Sequence, residues 1–144
     1  MSRTAMTVQV VSFAYRYGLP ADADMVLDVR FLTDPHYDAA LRPYSGREPQ
    51  VRAAVVADPD YTPFVDDVAG LLARLTSRYE RDGRRRLTLA IGCAGGRHRS
   101  VVVAEDLTAR LVGQGRAVIV RHRDLDPTGR PAEVVPTPGR EESS

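Results

Sequence analysis

The residues of this chain best equipped for chemistry stand together in Gly92-Cys-Ala-Gly-Gly-Arg-His-Arg-Ser100, where the apolar run Leu87–Ile91 breaks at glycine and restarts as a helical pattern. A strand-loop-helix junction gathers unpaired backbone N–H groups at the helix start, and the helix dipole adds positive potential there, so an anion is stabilised. Gly95 and Gly96 give the backbone its freedom to turn and its close approach to a ligand. Arg97, His98 and Arg99 bring side-chain donors, and Ser100 a hydroxyl. Positive side chains at a helix start oppose the dipole, which an ordinary turn gives no reason for. The segment Ala94–Ser100 is therefore read as a phosphate-binding loop.

The same residues fit a second chemistry. Cys93 and Arg99 stand at the Cys-x5-Arg spacing of cysteine-dependent phosphatases, in which a thiolate acidified by a helix N-terminus attacks phosphorus. Gly92 occupies the place where that signature normally has histidine, and no aspartate can be assigned as the leaving-group acid. A lone cysteine ending a buried strand is more often a small apolar core residue. The expectation is binding without catalysis, with the Cys93/Arg99 phosphatase as an alternative.

The elements that must position the loop follow from periodicity. Val8–Phe13 and Met25–Phe31 read as strands, and the second places Asp28 and Arg30 on one face with Val29 and Phe31 on the other. A long connection rich in proline, aspartate and arginine follows, from Thr33-Asp-Pro-His-Tyr-Asp38 through Leu41-Arg-Pro-Tyr-Ser-Gly46, and connections of that length are disproportionately functional. Residues 48–57 read as a short helix. The segment opening at Asp60-Tyr-Thr-Pro63 reads as a longer one, with Phe64, Val65, Val68, Leu71, Leu72, Leu75 and Tyr79 as its buried stripe. After the glycine loop, Val103, Ala104, Leu107 and Leu111 mark another buried stripe that ends near Gly113-Gln-Gly115, and Ala117–Val120 is a fourth strand. The strand, loop, helix and strand read as a right-handed parallel βαβ unit, so the fold class is α/β, a small layered and mainly parallel sheet with flanking helices.

Composition narrows the classes. A chain of 144 residues makes one domain, placed at residues 1–125, while residues 126–144 are rich in proline, glycine, glutamate and serine and read as a disordered tail. One cysteine excludes an internal disulfide and suits a reducing cytoplasm. No run has transmembrane length and no signal peptide is evident, so no membrane partner is expected. No Cys, His and carboxylate cluster has zinc-like spacing, and neither a metal nor a cofactor is expected. All 20 basic residues are arginine, which suits bidentate phosphate contacts.

The ordered series Ser12-Phe-Ala-Tyr-Arg-Tyr-Gly18, Asp28-Val-Arg-Phe-Leu32, Pro35-His-Tyr-Asp38, Leu41-Arg-Pro43, Gly92–Val101 and Arg121-His-Arg-Asp-Leu125 resembles the C-terminal domain of RapZ, the RNase adapter family. The resemblance spans about residues 8–125, and no Gly-x4-Gly-Lys-Ser/Thr loop is present, so nucleotide hydrolysis does not carry over. It implies a phosphofructokinase-like subdomain that oligomerises, senses glucosamine-6-phosphate or a similar sugar phosphate, and in some bacteria presents small RNA to a ribonuclease. By that resemblance the ligand set is Ala94, Gly95, Gly96, His98, Arg99, Ser100 and His36, with Asp28 and Asp34 available for an ammonium or hydroxyls and Arg30 and Arg42 as weaker candidates. An RNA-binding adaptor using Arg16, Arg97, Arg121 and Arg123 is the further alternative, and the family's basic C-terminus is replaced here by Arg140 against Glu133, Glu141 and Glu142.

Overall fold

The computed structural model describes residues 6–125. The tail assigned to residues 126–144 lies outside them. Four strands, β1 (Thr7–Ala14), β2 (Met25–Asp28), β3 (Arg86–Cys93) and β4 (Ala117–His122), form one sheet in the order β2-β3-β1-β4. Every neighbouring pair is parallel. Among the described residues three α-helices accompany it, α1 (Pro49–Val56), α2 (Tyr61–Arg81) and α3 (Arg99–Gly113). The α/β class is the one expected.

Register explains the core. Val8 aligns with Leu87 and Val10 with Leu89, so these side chains share a face. They are fully buried and cluster with Val55 of α1, Val65, Val68 and Leu72 of α2, and Val103, Leu107 and Leu111 of α3. On the opposite face Val11, Phe13 and Ala90 are buried, whereas Val26 and Ile119 are largely exposed. Gly92 is required there: a Cβ would lie 2.4 Å from Phe13 Cζ.

Three details differ from the periodicity reading. The strand read as Met25–Phe31 ends at Asp28, because the Asp28 carboxylate accepts from the Arg30 amide at 2.9 Å and turns the chain. Val29 is then buried, while Phe31 is half-exposed and packs edge-on against Phe64 at 5.1 Å. In α2 the stripe runs through Val65, Val68, Ala69, Leu72 and Thr76, and Leu71 faces out. The strands flanking α3 are parallel but not neighbours, since β1 lies between β3 and β4.

This order has a consequence for function. The connection after β1 runs to β2 beyond β3, and the connection after β3 runs to β4 beyond β1. The chain thus departs in opposite directions from two adjacent strands, and the crevice at their C-terminal ends is where open α/β sheets place ligands.

Candidate functional site

A cavity of about 550 Å³ opens at that end of the sheet. The connection after β1 contributes Arg16; the one after β2 contributes Asp34, His36, Tyr37 and Arg42; β3 and its loop contribute Cys93–Gly95 and Arg97–Arg99. Loops from three strands therefore converge on one space. Gly96 has φ +69°, and a Cβ there would sit 3.0 Å from the Ala14 backbone nitrogen, so the loop can lie on β1 only with glycine at this position.

The three basic residues at the start of α3 serve a purpose that their types alone did not reveal. Arg97 donates from Nη1 to the Arg42 carbonyl at 2.9 Å and from Nη2 to the Pro43 carbonyl at 3.0 Å. His98 Nε2 lies 2.7 Å from the Tyr44 carbonyl. Arg99 donates from Nη1 to the carbonyls of Arg30 at 2.6 Å and Leu32 at 3.2 Å, and from Nη2 to Asp34 at 3.1 Å. Consecutive side chains thus tie the long β2–α1 connection to the helix. Carbonyls receive the positive charge, which accounts for basic residues at the unfavourable end of a helix dipole. Arg99 is buried and lines the cavity while its Nε has no hydrogen-bond partner.

What remains for a ligand is more specific than a count of arginines. The amides of Gly95 and Gly96 and the first amide of α3, that of Arg99, donate to no carbonyl among the described residues. Arg16 is exposed, its guanidinium 5.3 Å from the Tyr17 ring, and a Cβ on Gly95 would sit 4.0 Å from its Nη2. Arg42 donates from Nε to the His36 carbonyl at 2.7 Å, which holds its guanidinium at the cavity. His98 is held neutral: burial pushes its pKa down, against the carbonyls of Tyr44 and Arg42.

Other expected ligand residues are elsewhere. Ser100 is fully buried and its hydroxyl accepts from Cys93 Sγ at 3.1 Å, so it faces the cysteine. Asp28 and Arg30 form an exposed pair at 2.7 Å, with Arg30 3.9 Å from the Tyr15 ring, and neither lines the cavity. The Arg30 hydrogen bonds hold the Asp28 carboxyl below its ordinary value. Of the four arginines considered for RNA, Arg16 and Arg97 border the cavity. Arg121 is partly buried on β4, and the Arg123 side chain is 3% exposed and paired with Asp124 at 3.0 Å. The four do not form one open basic surface.

The thiol of Cys93 borders the cavity at 2% exposure, but Arg99, the arginine of the phosphatase-like spacing, is engaged with carbonyls and Asp34. No group of three or more His, Cys, Asp or Glu among the described residues could hold a metal ion. Among them, too, no helix is long and apolar enough to cross a membrane. Sequence reasoning quoted Tyr37 within Pro35-His-Tyr-Asp38 but left it out of the ligand set, where the structure places it on the cavity wall. It also missed the chain from Ser12 Oγ to His122 Nδ1 at 2.7 Å and from His122 Nε2 to Glu105 at 2.6 Å, which links β1, β4 and α3. Ser12 is fully buried and out of reach of a substrate.

Known proteins bear on this geometry. The RapZ C-terminal domain profile matches residues 6–126. A nucleotide-binding protein of Parafrankia sp. (strain EAN1pec) is 56% identical over 120 residues, covering 83% of this chain and 42% of that protein. A nucleotide-binding protein of Rhodospirillum rubrum is 53% identical over 128 residues, covering 89% of this chain and 40% of that one. One of Rubrobacter xylanophilus is 52% identical over 126 residues, at 84% and 41%. The chain thus spans about two fifths of the length of these relatives.

Proposed function

The chain belongs to the RapZ C-terminal domain family, and from that premise we propose that its cavity binds a phosphorylated amino sugar of the glucosamine-6-phosphate kind, as a cytosolic sensor or adaptor module and not as a catalyst. The observation that carries the reading is the set of amides, unpaired among the described residues, at Gly95, Gly96 and Arg99, of which Gly95 and Arg99 line the same cavity as Arg16 and Arg42. Such amides and cations suit a phosphate. Asp34, in the same cavity, has carboxylate lone pairs to offer an ammonium beyond those engaged by Arg99 and the His36 amide. Binding would reach the rest of the molecule through the β2–α1 connection, because the residues that line the cavity also hold that segment. A protein partner reading that segment would complete an adaptor.

Calorimetry with glucosamine-6-phosphate, glucosamine and inorganic phosphate tests the reading. Hydrogen bonds to charged groups contribute about 1.5–3 kcal/mol, so Arg16→Ala should weaken glucosamine-6-phosphate by about one to two decades. Arg16 makes no hydrogen bond within the described protein, and the variant should melt like the parent. Equal affinity of parent and variant would place the phosphate elsewhere.

A further inference from the structure

Resting on the cradle reading above, we propose that Tyr37 is the ring-recognition residue of this cavity, an aromatic face on which the pyranose of a hexose phosphate stacks while the phosphate sits at the start of α3. Tyr37 is 82% exposed, the most exposed of the large apolar side chains among the described residues. Phe31 packs on Phe64 at 5.1 Å, Tyr15 lies under the Arg30 guanidinium at 3.9 Å and Tyr17 under that of Arg16 at 5.3 Å, and none of these three lines the cavity, as Tyr37 does. Among the described residues its one ring contact is with His36, nearly perpendicular at 5.6 Å and 82°.

The ring is exposed, yet its backbone is braced. Asp34 caps the 3-10 turn Pro35–Tyr37, accepting from the His36 amide at 3.0 Å. The Tyr37 amide donates to the Asp34 carbonyl at 3.3 Å, that of Asp38 to the Pro35 carbonyl at 3.0 Å, and Pro35 itself is buried. Asp34 in turn is tied to Arg99 at 3.1 Å, so the turn that carries Tyr37 is anchored to the helix that begins the phosphate cradle. An aromatic side chain with two rotatable bonds on a fixed turn gives contact area at little entropic cost on binding.

The chemistry of an amino sugar phosphate suits this placement. One face of a pyranose is a patch of C–H groups, which an aromatic face shields from water, and an ammonium on the ring is attracted by the π quadrupole. A cavity of about 550 Å³ exceeds what a phosphate ion occupies and lies in the range of small-molecule sites. Phosphate affinity and ring selectivity therefore reside on different elements: the amides and arginines hold any phosphate, and Tyr37 selects the ring attached to it.

Calorimetry on the full chain with three probes, inorganic phosphate, glucosamine-6-phosphate and adenosine monophosphate, separates these roles. Tyr37→Ala should weaken glucosamine-6-phosphate by about 5- to 20-fold and leave inorganic phosphate unchanged, while Tyr37→Phe, which keeps the face, should behave as the parent. Equal losses for inorganic phosphate and the sugar phosphate would overturn the proposal, since Tyr37 would then only shape the turn. So would an unchanged sugar phosphate affinity. A parent preference for adenosine monophosphate that Tyr37→Ala abolishes would also overturn it, assigning the ring to a nucleobase. Parent protein that binds phosphate and sugar phosphate with Tyr37 immaterial leaves the cradle standing and removes this inference alone; parent protein that binds none of the probes removes both.

Discussion

At the scale of single residues, a guanidinium beside a cavity can face a ligand or brace the fold, and Arg99 and Arg16 divide these tasks. Arg99 is 6% exposed and makes three hydrogen bonds to the segment 30–34. Removing it strands two carbonyls and a largely buried carboxylate, and Arg99→Ala should lower unfolding stability by about 2–4 kcal/mol in urea titration. Arg99→Lys should recover little of it, because one ammonium cannot reproduce a planar fork that reaches Arg30, Leu32 and Asp34 together. An unfolding midpoint equal to the parent's would show that the brace contributes nothing. Cys93→Ser should retain sugar phosphate binding, and the parent should not turn over an aryl phosphate; turnover lost in Cys93→Ser would reinstate the phosphatase. The loop itself was legible in Gly95, Gly96 and the basic run after them. The targets of that run were not, since residue type states what a side chain donates, and its acceptors lie more than fifty residues away on carbonyls that every residue possesses.

At the scale of elements, the β2–α1 connection is the part on which the site depends and the part that periodicity describes least. Strands and helices repeat, so β1, β3, α3 and β4 were legible from apolar spacing, and even α2 erred only in assigning Leu71 to its buried stripe. The connection has no repeat, and its course is set by long-range bonds: Arg97, His98 and Arg99 grip its carbonyls, and the Gly46 amide donates to the Arg97 carbonyl at 2.7 Å. Nor does spacing disclose strand order, which is why β1 between β3 and β4 was not foreseen. Gly46 offers a test confined to this contact. A Cβ there would lie 2.7 Å from the His98 carbonyl oxygen and 2.9 Å from Val101 Cβ, on helix backbone that cannot yield cheaply. Gly46→Ala should destabilise the protein by about 1–3 kcal/mol and raise amide hydrogen exchange in residues 30–46 above that in β1 and β3. Uniform exchange across the chain would mean that the connection is not a separable unit.

At the scale of the whole molecule, the two buried histidines join distant parts of the chain, and both are held neutral. His98 ties the start of α3 to the β2–α1 connection, and His122 ties the end of β4 to β1 and α3. Burial lowers the pKa of each from 6.5; for His122 the Glu105 carboxylate opposes the shift, and for His98 the Arg97 charge adds to it. A histidine whose folded value lies below its unfolded value takes up its proton first in the unfolded chain. Stability is therefore complete above about pH 6.5, declines as pH falls from there toward the folded values, and levels off below them. The slope is at most about 1.4 kcal/mol per pH unit for each histidine. Asp28 and Asp58 have pKa values lowered from 3.8, so the stability they contribute is lost only at more acidic pH, which separates the two windows. Urea midpoints should accordingly fall between pH 7.5 and pH 5. His122→Gln should be less stable than the parent at pH 7.5, since it disturbs the Ser12 and Glu105 contacts, yet should lose less on acidification. Saturating glucosamine-6-phosphate, which binds only the folded state in this reading, should raise the unfolding free energy across the range, by about 2.7 kcal/mol at a hundredfold excess over its dissociation constant, and the midpoint with it. A parent midpoint that is flat or rises on acidification would show that the two histidines are not kept neutral by the fold.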